Sequence, residues 1–448
     1  MHERDERALA AVRTLLRASH LAGPSSLPLL VAEAGERLGA EAARLYLVDY
    51  EQSWLVPVHG SGRTGRHAGA HAAGDGAAEV EAGDGGDSTD GTDRPDGRAA
   101  ADGDGAVAID GTVPGLVFTD IRQHVSTAGG ATTVWSPVLD GTERLGVLSL
   151  RLPAGEEADP DLLADVADVA ALLAELVLTR SLYGDAVELT RRREDLTVAA
   201  ELQWGLLPPL TYVAPDVSIA GVLSPAHEVA GDSFDYAANG DVLHVSLLDA
   251  MGHGLEATLL AAVALSVLRN SRRSGRGLAE TVLAVDSAIA AQFGPDKFLT
   301  GIVGELHVPT GVWRWVTCGH PPALLLREGQ VVKRLDSVVG VPIGLGLFDG
   351  EPEVGQERLQ PGDRLLLHTD GVTEARDQEG NFFGDERLQG FLTREAADAR
   401  PVAETLRRLN LAVLRHQHGR LQDDATTVIL EWRTDEAART TEGAVPAH

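Results

Sequence analysis

The chain is short of basic residues. Against 67 Asp and Glu it has 38 Lys and Arg, for a formal net charge of -29. Nucleic acid and anionic membrane surfaces need a basic face, so this balance argues against both as partners. There is one cysteine, Cys318, so no internal disulfide can form and a reducing compartment suits the chain. No run approaches the roughly 20 apolar residues of a membrane span. The amino terminus, MHERDERALAAV, is charged where a signal peptide needs an apolar core. A soluble cytoplasmic protein is expected.

What is present is enough apolar residue, 44% of 448 positions, to bury the cores of two or three domains. Leu9, Val12, Leu15 and Leu16 mark a helix over 5–20, and Leu27–Leu38 repeats the pattern. Ala43–Tyr50 alternates like a strand, with Trp54–Val58 as its hairpin partner. From about 60 to 105 the chain is Gly, Ala and Asp with almost no large apolar side chains. Such a stretch cannot offset its ordering entropy and is expected to be disordered, as is a tail over 434–448. Thr132–Leu152 then reads as two strands around an Asp-Gly turn.

The helix, the LYLVD strand, PGLVFTDIRQHV and WSPVLDGTERLGVLSL together resemble a GAF domain, a small sensor fold, over roughly residues 22–180. The resemblance implies either a pocket for an unknown small molecule or a dimerisation scaffold. No cysteine lies there for thioether attachment of a chromophore. Leu162, Val166, Val169, Leu173, Leu176, Leu189, Leu196 and Leu202 recur at helical spacing over 161–207. This seam predicts a helical linker, 181–210 in the domain layout, that pairs with a second chain as a homodimer. Pro208-Pro209 ends it.

Beyond the linker, apolar segments repeatedly end or begin on an acid. VLHVSLLDAMGHG stops on Asp249, RLLLHTDG on Asp370, and Asp232 and Asp423 border two further segments. Many short strands with a few inserted helices indicate an antiparallel α+β architecture. If the strands gather these acids, two carboxylates about 4 Å apart repel by about 4 kcal/mol at an effective dielectric of 20. No Lys or Arg neighbours them in sequence, so a cation is needed. Hard oxygen ligands without clustered His or Cys select Mg²⁺ or Mn²⁺ over zinc. Several shared carboxylates point to two ions activating water against phosphorus.

ELQWGLLPP, EVAGDSFDY, LLDAMGHGLEA, CGHPPALLL, PIGLG, GDRLLLHTDGVTEARD and DDATTVIL follow one another in order. Together they resemble the metal-dependent (PPM) serine/threonine phosphatases, in the SpoIIE-type branch that regulates sigma factors, over roughly 190–433. The resemblance implies a β-sandwich flanked by helices across 211–433. Its metal ligands would be Asp232, Asp249, the Ala250 carbonyl, Asp370 and Asp423, with two Mn²⁺ or Mg²⁺ ions. Asp424 matches a neighbour less clearly a ligand. The implied substrate is a phosphorylated anti-sigma-factor antagonist. The family reads Gly-Gly-Asp-Trp-Tyr-Asp where this chain has Ala230-Gly231-Asp232-Ser233-Phe234-Asp235. That departure keeps a second reading open, a pseudophosphatase that binds a phosphoprotein or kinase without turnover.

Other residues read more blandly. Asp241 and Asp349, beside glycine, are turn residues. Asp235 either bonds its own loop or supports a ligand from behind. His253 and His320 could meet phosphate, but their flanking glycines favour packing and turns. Cys318 reads as a small buried hydrophobe.

Overall fold

The computed structural model describes residues 2–19, 23–59, 105–224, 231–336, 340–397, 400–418 and 423–433. All but the last residue of the expected disordered stretch, the residue Ala230, and the 434–448 tail lie outside these. The chain forms two compact units, one of residues 1–140 and 144–193, the other of 141–143 and 194–448.

The first unit is built on a six-stranded antiparallel sheet, ordered β3-β2-β1-β6-β5-β4. Its strands are β1 (Ala42–Val48), β2 (Trp54–Pro57), β3 (Val107–Ala108), β4 (His124–Ala128), β5 (Ala131–Asp140) and β6 (Glu143–Arg151). The helices are α1 (His2–Ser19), α2 (Leu27–Arg37), α3 (Val113–Asp120), α4 (Pro160–Ser181) and α5 (Ala186–Arg191). Side chains alternate across a strand, and β1 follows that rule. Leu45 and Leu47 face the core made with α2 and α4, while Tyr46 and Val48 face α3. On α1 the buried stripe is Ala11 and Leu15, with Val12 beside it, whereas Leu9 and Leu16 are exposed.

The continuous helix expected over 161–207 is instead α4, α5 and a third helix, α6 (Val198–Leu206). Gly184 follows α4, and Asp185 and Thr197 stand at the N-caps of the next two helices. The Thr197 hydroxyl accepts from Ala200 N at 3.2 Å, so the chain restarts there. Leu173 and Leu176 are buried in the first unit's own core against β5 and β6. The α4 part of the face expected to pair two chains is therefore already covered, whereas Leu189 on α5 is exposed.

The second unit is a sandwich of two antiparallel sheets with helices outside each, the α+β arrangement expected. One sheet is ordered β15-β12-β11-β10-β9, the other β14-β13-β16-β17-β8-β7. The first holds β9 (Asp232–Asn239), β10 (Val242–Ala250), β11 (Leu299–His307), β12 (Val312–Cys318) and β15 (Gly355–Arg358). The second holds β7 (Thr211–Ala214), β8 (Val217–Ser224), β13 (Leu324–Arg327), β14 (Gln330–Arg334), β16 (Arg364–His368) and β17 (Ala425–Trp432). Leu243, Val245 and Leu247 of β10 meet Leu365, Leu367, Val428 and Leu430 between the sheets. The alternate residues face outward. Leu248 and Ala250 pack under α7 (Leu255–Arg273) and α8 (Leu278–Phe293). Leu366 and Ile429 pack under α10 (Gly384–Ala397) and α11 (Val402–His416). A fully buried side chain contributes about 1.5–3 kcal/mol, so these three apolar layers hold the strand ends that carry the acids.

Candidate active site

Asp232 opens β9 and Asp249 lies next to the end of β10. The antiparallel register sets them directly opposite each other. Opposed residues in such a ladder have Cα atoms about 4.5–5.5 Å apart, so two carboxylates are fixed side by side by backbone pairing alone. Asp232 is buried. Desolvation first, then repulsion from Asp249 and Asp424, raises its pKa well above the usual carboxylate range. Asp249 is pushed up to about 7 by desolvation, then by Asp370, Asp423 and Asp424.

The remaining acids arrive from the other sheet. β16 ends at His368, Thr369 stands at the N-cap position of the single-turn helix α9 (Asp370–Thr373) without a capping bond from its side chain, and Asp370 is the helix's first residue. The buried Thr369 hydroxyl donates to Asp232 Oδ2 at 2.8 Å and accepts from Thr426 N at 3.1 Å. It ties the two sheets together at the acidic end. Asp423, just before β17, is solvent-exposed yet desolvated enough to have its pKa raised, with Asp370 and Glu374 adding repulsion. The neighbouring Asp424 is buried, and its Oδ2 accepts from Gly231 N at 2.9 Å and Gln203 Nε2 at 3.0 Å.

Two glycines permit this convergence. A Cβ on Gly231 would stand 2.6 Å from the Ala250 carbonyl oxygen, and one on Gly371 would stand 1.9 Å from that of Asp424. Real Cβ atoms do not approach oxygen so closely. The Gly-Asp and Asp-Gly pairs are therefore places where backbone from another strand passes against Cα.

The structure also assigns the ambiguous residues. Asp235 is buried and accepts from Arg269 Nη2 at 2.8 Å and Arg272 Nη1 at 2.8 Å, so it anchors α7 to β9. His320 is buried, with Nδ1 2.9 Å from Thr300 Oγ1 and Nε2 3.1 Å from the His368 carbonyl. The carbonyl can only accept, so Nε2 carries the proton and Nδ1 accepts from Thr300. Desolvation lowers the His320 pKa to about 3, and the ring stays neutral as a buttress beneath Asp249 and Asp370. His253 is exposed and lies close enough to Asp423 to oppose, weakly, the rise in that acid's pKa. Cys318 is buried, and its thiol is pushed up to about 12 by desolvation. That excludes a thiolate nucleophile at neutral pH.

The donor set suits hard divalent cations. Among the described residues no Lys or Arg forms an ion pair with Asp232, Asp249, Asp370 or Asp423. The raised pKa values of Asp232, Asp249 and Asp423 record an uncompensated negative field. Among the described residues no group of three or more His, Cys, Asp or Glu stands close enough together to hold a metal ion as it is, so the observation that favours a cation is the opposed pair Asp232–Asp249. Sequence reasoning missed Thr369 and Gln203. Each stood inside a quoted motif, but neither carries the charge that marked the acids.

The family model of Stage II sporulation protein E (SpoIIE) matches residues 239–433. Over this part the chain is similar to the SpoIIE family. The SpoIIE-family match takes in Asp249, Asp370 and Asp423, and Asp232 lies just ahead of it. Protein IcfG of Synechocystis is 25% identical over 269 residues, 54% of this chain and 42% of IcfG. Phosphoserine phosphatase RsbU of Bacillus subtilis is 20% identical over 238 residues, 53% of this chain and 70% of RsbU. A solved structure of the RsbU and RsbW domains of Rv1364c from Mycobacterium tuberculosis is 29% identical. It covers 52% of this chain and 69% of that one, with a TM-score of 0.44. The chain thus spans less than half of IcfG. Among the described residues no helix is long and apolar enough to cross a membrane.

Proposed function

We propose that the chain is a Mn²⁺- or Mg²⁺-dependent phosphoserine/phosphothreonine protein phosphatase. The observation that carries this reading is the opposed pair Asp232–Asp249, the first buried and the second half-buried, without a cationic partner among the described residues. Asp232, Asp249, Asp370, Asp423 and the Ala250 carbonyl would hold two ions. When bound, these would supply positive charge for the developing phosphoryl oxygens and lower the pKa of water. The chain's own contribution is orientation. Thr369 fixes one oxygen of Asp232, Gly231 and Gly371 let the backbones close in, and His320 holds Thr300 and the His368 carbonyl in place. In the reaction the water oxygen bonds to phosphorus as the seryl or threonyl oxygen leaves and takes a proton. No side chain is phosphorylated. The position two before Asp370 is His368, buried with its pKa lowered, and not a second acid.

The substrate in this reading is a phosphorylated anti-sigma-factor antagonist, on the strength of the resemblance to the SpoIIE-type branch. The layout is a GAF-like sensor over 22–180, a linker over 181–210 and a phosphatase over 211–433, in a cytoplasmic protein. The homodimer expected from the sequence loses the α4 part of its seam, because Leu173 and Leu176 pack inside the first unit. It stands on no other observation and is left out of the proposal. Hydrolysis of an aryl phosphate and a phosphoserine protein by the purified full chain tests the reading. Turnover on adding Mn²⁺, abolished by chelator, is expected. Phosphoprotein binding without turnover at any Mn²⁺ concentration would instead favour the pseudophosphatase.

A further inference from the structure

The last helix before the sandwich, α6, sends one side chain into the acidic end. Gln203 is 1% exposed, and its amide nitrogen donates both hydrogens. One goes to the Asp232 carbonyl oxygen at 2.8 Å, the other to Asp424 Oδ2 at 3.0 Å. The same Asp424 oxygen receives Gly231 N, so Gln203, Gly231 and Asp424 form one network around the turn that delivers Asp232. Gln203 Oε1 is buried and has no hydrogen-bond partner among the described residues. Burying an unmet amide oxygen costs about 1–3 kcal/mol. A side chain serving core stability alone would be better replaced by an apolar one of equal volume.

We propose that Gln203 is a positioning residue for the metal-binding carboxylates. It sets the backbone at Asp232 and the rotamer of Asp424, and so fixes the direction in which the Asp232 carboxylate meets a divalent cation. The inference rests on the phosphatase reading of this site. A second tie runs alongside, since Arg269 Nη2 donates to the Leu206 carbonyl at 2.6 Å and holds the end of α6 on α7. The position of α6 is thereby transmitted to Asp232 through one amide.

Partners behind metal ligands typically contribute 10–100-fold to metal affinity. The full-length Gln203→Met variant keeps the volume and loses both donors. By titration calorimetry it is expected to bind Mn²⁺ at least about 10-fold more weakly than wild type. Its kcat at saturating Mn²⁺ should return to within about threefold of wild type, since no group touching the substrate is lost. Gln203→Asn, which keeps polarity but is one methylene too short to span both acceptors, should shift Mn²⁺ affinity in the same direction. It serves where the Met variant does not fold. Wild type that binds no Mn²⁺ overturns the phosphatase reading and the role of Gln203 with it. Wild type that binds Mn²⁺ while both folded variants bind it equally well overturns the role of Gln203 alone. So does a variant with a lowered melting temperature and unchanged Mn²⁺ affinity.

Discussion

Asp249 stands directly across the β9–β10 ladder from Asp232, and neither acid has a cationic partner among the described residues. The pair is an electrostatic cost that the fold maintains, and a divalent cation held by both acids would offset it. Asp249→Asn should lower Mn²⁺-dependent turnover by at least about 100-fold. The same substitution should raise the melting temperature of the metal-free protein at pH 8, because it removes one of two repelling charges. Scanning calorimetry with and without Mn²⁺ reads both effects. A variant that keeps wild-type turnover, or melts lower without metal, contradicts the assignment.

Asp235 meets the guanidinium groups of Arg269 and Arg272, and its own side chain is 3% exposed. Removing one member of a buried ion pair typically costs 3–5 kcal/mol. Arg269 is 27% exposed and water screens part of the loss, so Asp235→Ala should cost about 2–3 kcal/mol. Denaturant unfolding measures it. Mn²⁺ affinity should change little, which separates this anchor from the ligands. A stability change under about 0.5 kcal/mol would show that the pair is idle.

The acids were legible because charge at the end of an apolar run is a rare and costly placement. The sandwich was legible because β10, β16 and β17 alternate or run apolar between turn residues. Other features left weaker marks. Gln203 and Thr369 are neutral, and their importance lies in contacts across 29 and 137 residues of chain, which no local pattern encodes. Helix α10 passed unnoticed because its buried stripe is little more than Leu388 and Leu392. The break of the long helix was written in the sequence, at Gly184, Asp185 and Thr197. The leucine periodicity on either side ran through it and masked the caps.

His320 gives a pH test away from the acids themselves. Its folded pKa, lowered to about 3, lies below the 6.5 of an unfolded histidine. Between those values the unfolded chain binds a proton that the native chain refuses, so stability falls as pH drops through that window. His320→Gln removes the titration and offers an amide for the Thr300 and His368 contacts. The gap in stability between wild type and variant should narrow as pH is lowered from 7 to 4. Parallel urea curves at pH 7, 5.5 and 4 decide it. A constant gap would mean that His320 is protonated alike in both states.

Asp49, at the end of β1 in the first unit, shows the opposite sign. It is 1% exposed, and its Oδ1 accepts from Ser53 N at 2.8 Å and Trp54 N at 3.0 Å. Its Oδ2 is buried without a partner among the described residues. Desolvation raises its pKa to about 6, with Glu51 adding, while the two backbone bonds and Arg193 oppose. The native carboxyl therefore keeps a proton between pH 3.8 and about 6 that the unfolded chain has lost. Stability is lost as pH rises through that window and stays lost above it. Asn at this position keeps Oδ1 as an acceptor for both amides and cannot ionise. Asp49→Asn should therefore stabilise the first unit at pH 7.5, by at most about 2–3 kcal/mol for a shift of roughly two units. Global melting would mix the two units, so the readout is hydrogen exchange at the β1 and β2 amides at pH 5 and 7.5. Protection in the variant should exceed wild type at pH 7.5 and approach it at pH 5. Weaker protection in the variant at both values would mean that the charge itself holds the Asp49–Trp54 turn, and that desolvation is not the larger effect there.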